Sequence, residues 1–201
     1  MKVTRNGHIV IGGWIALYTI ITVLYFQTQF QTDDGLVRLF ALFGITCLLN
    51  ASIMSAFTRQ IYKNLGIAFL KIHHLFAIAG LVLVTLHPVS LAILRGWQVF
   101  IPDFSSWYKF WSLAGRPAFY IVYVGVVSVL LKRLLKKHWR ILHALLYIAL
   151  GFGVVHGILL GQSYANPIID GIYVGLLALM IFGFIYKRYA TRARKKSPPQ
   201  S

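Results

Sequence analysis

Six apolar runs, each close to twenty residues, leave this chain almost no choice of architecture: they cover residues 9–26, 37–57, 67–94, 118–135, 141–160 and 168–186. About 20 apolar residues in a helix cross the roughly 30 Å of hydrocarbon in a bilayer. Lipid offers the backbone no hydrogen-bond partners, so a spanning segment must satisfy its own N–H and C=O groups. A content of 58% hydrophobic residues and a mean hydropathy of +0.72 leave no polar surface for a soluble domain. We therefore expect an all-α integral membrane protein of the cell membrane, multi-pass. Its six transmembrane helices would fill residues 1–190, with a flexible basic tail at 191–201.

The net charge of +16 does not point to nucleic acid, because the cations sit in short clusters between the apolar runs. Alternate connections hold Lys2 and Arg5; Arg59, Lys63 and Lys71; Lys132, Arg133, Lys136, Lys137 and Arg140; and Lys187, Arg188, Arg192, Arg194, Lys195 and Lys196. The remaining connections keep only Arg38, Arg95, Lys109 and Arg116, with Asp33, Asp34 and Asp103 beside them. By the bias of Lys and Arg toward the cytoplasm, both termini are expected inside. The first run has the layout of a signal peptide, but it is long and lacks a small-residue cleavage site, so it reads as a retained span. The connection 95–117, with Trp97, Trp107, Tyr108 and Trp111, suits the headgroup level, as an anchor or as a lid over an outer site.

Histidine is costly in lipid and marks a site by default. The third span carries His73 and His74 with His87, and the fifth carries His143 with His156. The two spans run in the same direction, so His73 and His143 fall near the cytoplasmic face and His87 and His156 about 20 Å further on. Imidazole is an axial ligand for heme iron, and two such helices are able to clamp two hemes, one per leaflet. At about 100° per residue, His87 returns to within about 40° of His73, whereas His156 lies about 140° from His143. The fifth helix must then distort, and Gly151 and Gly153 between its ligands are candidates for doing so; Pro88 follows the outer ligand of the third. The same angle favours His73 over His74. Gly153, Gly157 and Gly161 recur along one face, as a packing stripe or a close approach to a flat ligand. His8 and His138 lie at span ends without any such pattern.

The segments LKIHHLFAIAG, LHPV and KKHWRILHALLYIALGFGVVHGILLG resemble the ferric reductase-like transmembrane domain. NADPH oxidases, ferric reductases and the heme-binding membrane subunit of the periplasmic methionine sulfoxide reductase system share that domain. The likeness covers the second to sixth spans, and its most specific part is WRILHALLY followed by the second histidine thirteen residues on. It implies b-type heme on the histidines of the third and fifth helices, and hence two bis-histidine hemes on His73, His87, His143 and His156. The residue after the first ligand is usually basic in that family and is His74 here, which keeps His74 as the alternative ligand.

The resemblance also implies one-electron transfer from a cytoplasmic flavin, or from a separate flavoprotein or flavin reductase, to an external acceptor, which could be a protein. No glycine-rich dinucleotide loop is present, so flavin and NAD(P)H chemistry would come from another chain. Heme propionates are anionic; Lys71 and Arg140 inside, and Arg95 and Arg116 outside, are the candidate partners. The lone Cys47 lies inside an apolar run, which excludes a disulfide framework and a thiolate cluster. Of the four acidic residues only Asp170 approaches the membrane, so no carboxylate relay for proton pumping is visible. Two other readings remain: a divalent-metal or proton transporter built on the histidines, and a heme-binding membrane protein without turnover.

Overall fold

The computed structural model describes residues 3–28, 34–160 and 166–196, and these are mostly helical, with no strand among the described residues. Among them five helices are long and apolar enough to cross a membrane. In chain order the elements are α1 (Arg5–Thr28), α2 (Gly35–Met54), a short α3 (Thr58–Leu65) and α4 (Phe69–Arg95). A 3-10 turn (Trp97–Phe100), α5 (Trp107–Ser112), α6 (Gly115–Leu130) and α7 (Lys132–Leu135) follow, then α8 (Trp139–Ala144), α9 (Leu146–Leu160) and α10 (Pro167–Lys196).

Three of the expected spans differ from what forms. The fourth starts three residues early at Gly115 and stops at Leu130; at 16 residues α6 is about 24 Å long, shorter than the usual crossing. Its apolar run ends at Lys132 and Arg133, and Lys136, at φ 48°, turns the chain back. The fifth is two helices, α8 and α9, broken at Leu145. The sixth extends to Lys196, so residues 191–196 are helical. Ala, Arg and Lys are strong helix formers, and nothing in TRARKK interrupts the ladder ahead of Pro198. Residues 197–201 lie outside the described residues.

Four of these elements close into a bundle. Helix α2 lies along α4, where Gly44 and Gly80 let the backbones approach: a Cβ at Gly80 would stand 3.0 Å from the Gly44 carbonyl oxygen. Helix α4 meets α6 through Leu81, which packs on Ala118, Val122 and Ala149. A hydrogen bond of 2.8 Å between Thr85 and the Tyr123 hydroxyl joins the same two helices. Helix α9 packs on α6 and closes the ring against α2, where Gly153 sits on the Ile45 side chain. Packing is therefore what Gly153 does; Gly157 is buried, and Gly161 lies outside the described residues. Helices α4 and α9 stand opposite each other in this ring.

Helices α1 and α10 flank it, held by polar contacts on α2. The Tyr18 hydroxyl lies 3.0 Å from the buried Cys47 sulfur, and the Tyr173 hydroxyl lies 2.7 Å from Thr46 Oγ1 and donates to the Leu42 carbonyl. The Thr4 amide donates to the Asn64 carbonyl and Lys187 Nζ to the Ser55 carbonyl. These bonds bring the start of α1 and the far part of α10 to one end of the bundle, which also carries Arg59 and Lys63. We call it the basic end. The opposite end carries the segment between α4 and α6.

A Cβ at Gly44 would fall 2.8 Å from the Val84 backbone nitrogen, which no rotamer change relieves. Gly44→Leu is expected to cost about 1–3 kcal/mol through overpacking, read as a lower denaturation midpoint in detergent. Gly175→Leu on α10, where a Cβ meets nothing within 4 Å, should leave that midpoint unchanged.

Candidate functional site

All four spaced histidines share one arrangement. His73 Nδ1 lies 3.2 Å from the Ala51 carbonyl oxygen and His87 Nδ1 2.9 Å from that of Val37, both on α2. His143 Nδ1 lies 3.3 Å from the Gly125 carbonyl oxygen of α6, and His156 Nδ1 2.6 Å from that of Ser112 at the end of α5. A carbonyl only accepts, so Nδ1 must carry the proton, and the neutral ring presents Nε2 as a lone pair. An imidazole that ligates a metal through one nitrogen is commonly oriented by such a bond from the other.

Local backbone chemistry explains two of the acceptors. The Ser55 amide bonds to Ser52 and not to Ala51, which leaves the Ala51 carbonyl in the last turn of α2 without its usual partner. The Arg116 amide bonds to Leu113 and not to Ser112. His73 and His156 thus fill vacancies that helix ends create. Gly125 O, inside α6, accepts from Ser128 Oγ at 2.7 Å as well; a carbonyl has two lone pairs for such sharing.

The histidines couple electrostatically in pairs. His73 lies within electrostatic range of His143, and His156 within range of His87. This gives a level near the basic end and a level near the other, on the opposed helices α4 and α8/α9. Between the levels lies the apolar cluster of Ala118, Val122 and Ala149 with Leu81, Leu146 and Phe152. Among the described residues no three His, Cys, Asp or Glu side chains form a group that could hold a bare metal ion. A flat macrocycle that brings four equatorial nitrogens needs only two protein ligands, and two is what each level offers.

The expected distortion of the fifth helix is found, but not at Gly151 or Gly153. It lies at Leu145, two residues after His143, where the Leu145 amide bonds back three residues to Leu142 at 3.1 Å. Leu145 itself stays right-handed helical, at φ -60° and ψ -19°, and both rings reach the α5–α6 side despite their thirteen-residue spacing.

His74 is exposed, with its ring 6.0 Å from that of His73. His138 is exposed too, and His8 is exposed with its Nδ1 on the Thr4 carbonyl of its own helix turn. Of the cationic candidates, Lys71 and Arg140 are exposed at the basic end, Arg140 over the Trp139 ring. Arg95 is bonded to Asp34 at 2.6 Å, and Arg116 donates to the Ile101 carbonyl while standing within electrostatic range of His156. Two cations were not singled out by spacing. Buried Arg38, paired with Asp34 at 2.8 Å, acts on His87, and Lys187 acts on His73. Their signal in the sequence was weak, since both look like ordinary flanking charge.

The connection between α4 and α6 is divided in its task. Trp97 and Trp107 are 77% and 78% exposed, as an interfacial anchor requires. Trp111 instead turns inward, edge-on to Phe152 of α9 at 5.2 Å between ring centres. Ser112 follows it and supplies the acceptor for His156.

Comparison with known proteins gives no relative: no family model, no curated protein and no solved structure matches this chain.

Gly115 is the residue that spacing could not reveal. A Cβ there would stand 2.6 Å from His156 Cδ2 and 2.8 Å from its Nε2. Gly115→Ala is expected to push the His156 ring off the Ser112 carbonyl. Ring 15N NMR of the purified chain checks this: among the four spaced histidines only His156 should lose its hydrogen-bonded Nδ1–H signature.

Proposed function

We propose that this chain is a heme-b transmembrane electron-transfer protein, the membrane subunit of an oxidoreductase whose flavin domain resides in a separate protein. The observation that carries this reading is the fourfold repeat of one imidazole arrangement, Nδ1–H on a backbone carbonyl with Nε2 left as a lone pair. The resemblance of the third and fifth spans to the ferric reductase-like domain agrees with it.

In this reading His73 and His143 would hold heme at the inner level, and His87 and His156 at the outer one. Heme b, when bound, would supply one-electron Fe(III)/Fe(II) chemistry. The chain's own residues do the rest. Backbone carbonyls of α2, α5 and α6 hold the four rings in one tautomer and orientation. Two histidines holding the group at each level would restrict its chemistry to electron transfer. The apolar layer around Leu81, Val122 and Ala149 excludes water between the levels. Arg38 and Arg116 at the outer level, and Lys187 at the inner one, offset the charge of the propionates.

By the positive-inside bias the basic end is cytoplasmic and receives electrons from a flavoprotein or flavin reductase. The acceptor then meets the protein at the end carrying Arg95 and the Trp107 segment. A divalent-metal pathway would draw its ligands together at one depth; these histidines divide between two.

Full-chain protein expressed with heme supply should bind two hemes, counted by pyridine hemochrome, and complete absence of a reducible Soret band would overturn the proposal. His87→Ala and His156→Ala should each leave one heme, as should His73→Ala and His143→Ala, whereas His74→Ala should keep both. In sealed vesicles, reduction by a flavin reductase supplied at the basic face and reoxidation by an impermeant acceptor at the other separates a conduit from a passive binder.

A further inference from the structure

Outside the histidine levels, two open surface depressions meet at Phe184 on α10. The first lies between α9 and α10 and is an apolar trough walled by Ile148, Leu177, Ile181 and Phe184 beside Gly151. A Cβ at Gly151 would meet nothing within 4 Å, so the trough is open where the helices could have packed. The second is a shallow face of α10 itself that continues from the same Phe184 toward the basic end and carries Arg188, Tyr189 and Arg192. The Arg188 guanidinium lies 5.0 Å over the Phe184 ring, at the junction of the two. Arg188 and Arg192 are four residues apart, hence on one face of the helix.

We propose that this groove binds one anionic phospholipid of the leaflet at the basic end, an acyl chain in the trough and the phosphate between Arg188 and Arg192. The polarity runs in the order a lipid requires, apolar at depth and cationic at the headgroup level, and the two guanidiniums select an anionic head over a zwitterionic one. The site also touches the histidine levels. Tyr147, which lines the trough, is one turn beyond His143, and its hydroxyl lies 3.2 Å from Ser55 Oγ. The Ser55 carbonyl in turn accepts from Lys187. Lipid binding does not depend on heme being the ligand of the histidines.

Native mass spectrometry of the full chain, with phosphatidylglycerol or phosphatidylcholine added in detergent, tests the site. One phosphatidylglycerol should be retained in preference to phosphatidylcholine. Replacing both arginines, Arg188→Gln with Arg192→Gln, should weaken that retention by about fivefold for each charge removed. Gly151→Phe should abolish retention of either lipid by filling the trough. Arg133→Gln with Lys136→Gln, which removes the same charge from another connection, should change nothing. Equal loss in that control pair, full retention in Gly151→Phe, or displacement of the lipid by inorganic phosphate would each overturn the proposal. The arginine pair is on an exposed surface and reads out the site even if Gly151→Phe fails to fold.

Discussion

The structure turns on a hydrogen bond that has no letter in the sequence: imidazole Nδ1–H to the backbone carbonyl of a neighbouring helix, repeated at His73, His87, His143 and His156. In lipid a histidine left without a partner would be expensive. Carbonyls of α2, α5 and α6 offset that cost, and one bond accomplishes two things. It satisfies a polar group where water is absent, and it fixes which nitrogen keeps its lone pair. The bundle order follows, because α2 must lie along α4 and α5–α6 along α8–α9 for the rings to reach.

What could be read in advance was whatever lipid makes costly. Apolar length gave the helices, and histidines at matched depth gave two levels, because both signals stand out against a background of Leu, Ile and Val. The helical angle favours His73 over His74, and in the structure His73 reaches the Ala51 carbonyl while His74 is exposed. The break at Leu145 was not legible. Neither Gly nor Pro marks it, and the glycines that drew attention at 151 and 153 lie in continuous helix. Gly115 and the acceptor carbonyls were hidden for a related reason: they act through absent or backbone atoms whose relevance depends on which helix lies alongside.

The thirteen-residue spacing on the fifth span shows how the pieces depend on one another. On a single straight helix His143 and His156 would point about 140° apart and could not share a side of the bundle. The ladder slackens at Leu145, whose amide bonds back three residues to Leu142, and the α5–α6 elbow offers acceptors at two places, Gly125 and Ser112. On α4 no break is needed, since fourteen residues nearly close four turns, and the helix runs unbroken through Pro88 from Phe69 to Arg95. Two different local solutions thus produce two like levels.

Helix α2 carries none of the histidines, yet it is the most deeply buried of the spanning helices, half of its apolar window being inside. It supplies the Val37 and Ala51 carbonyls, the Gly44 contact with α4, the Ile45 seat for Gly153, and the Thr46 and Cys47 contacts with α10 and α1. A substitution on its inner faces therefore acts on the geometry of the histidines without touching one of them. The same logic places Asp34 ahead of α2 among the residues that matter: its carboxylate joins Arg38 to Arg95 and so ties the start of α2 to the end of α4. His87 and its acceptor Val37 lie just within that clasp. Holding those two helix ends together keeps the acceptor beside the ring, and that makes a pair of surface-end ion bridges part of the geometry of the outer level.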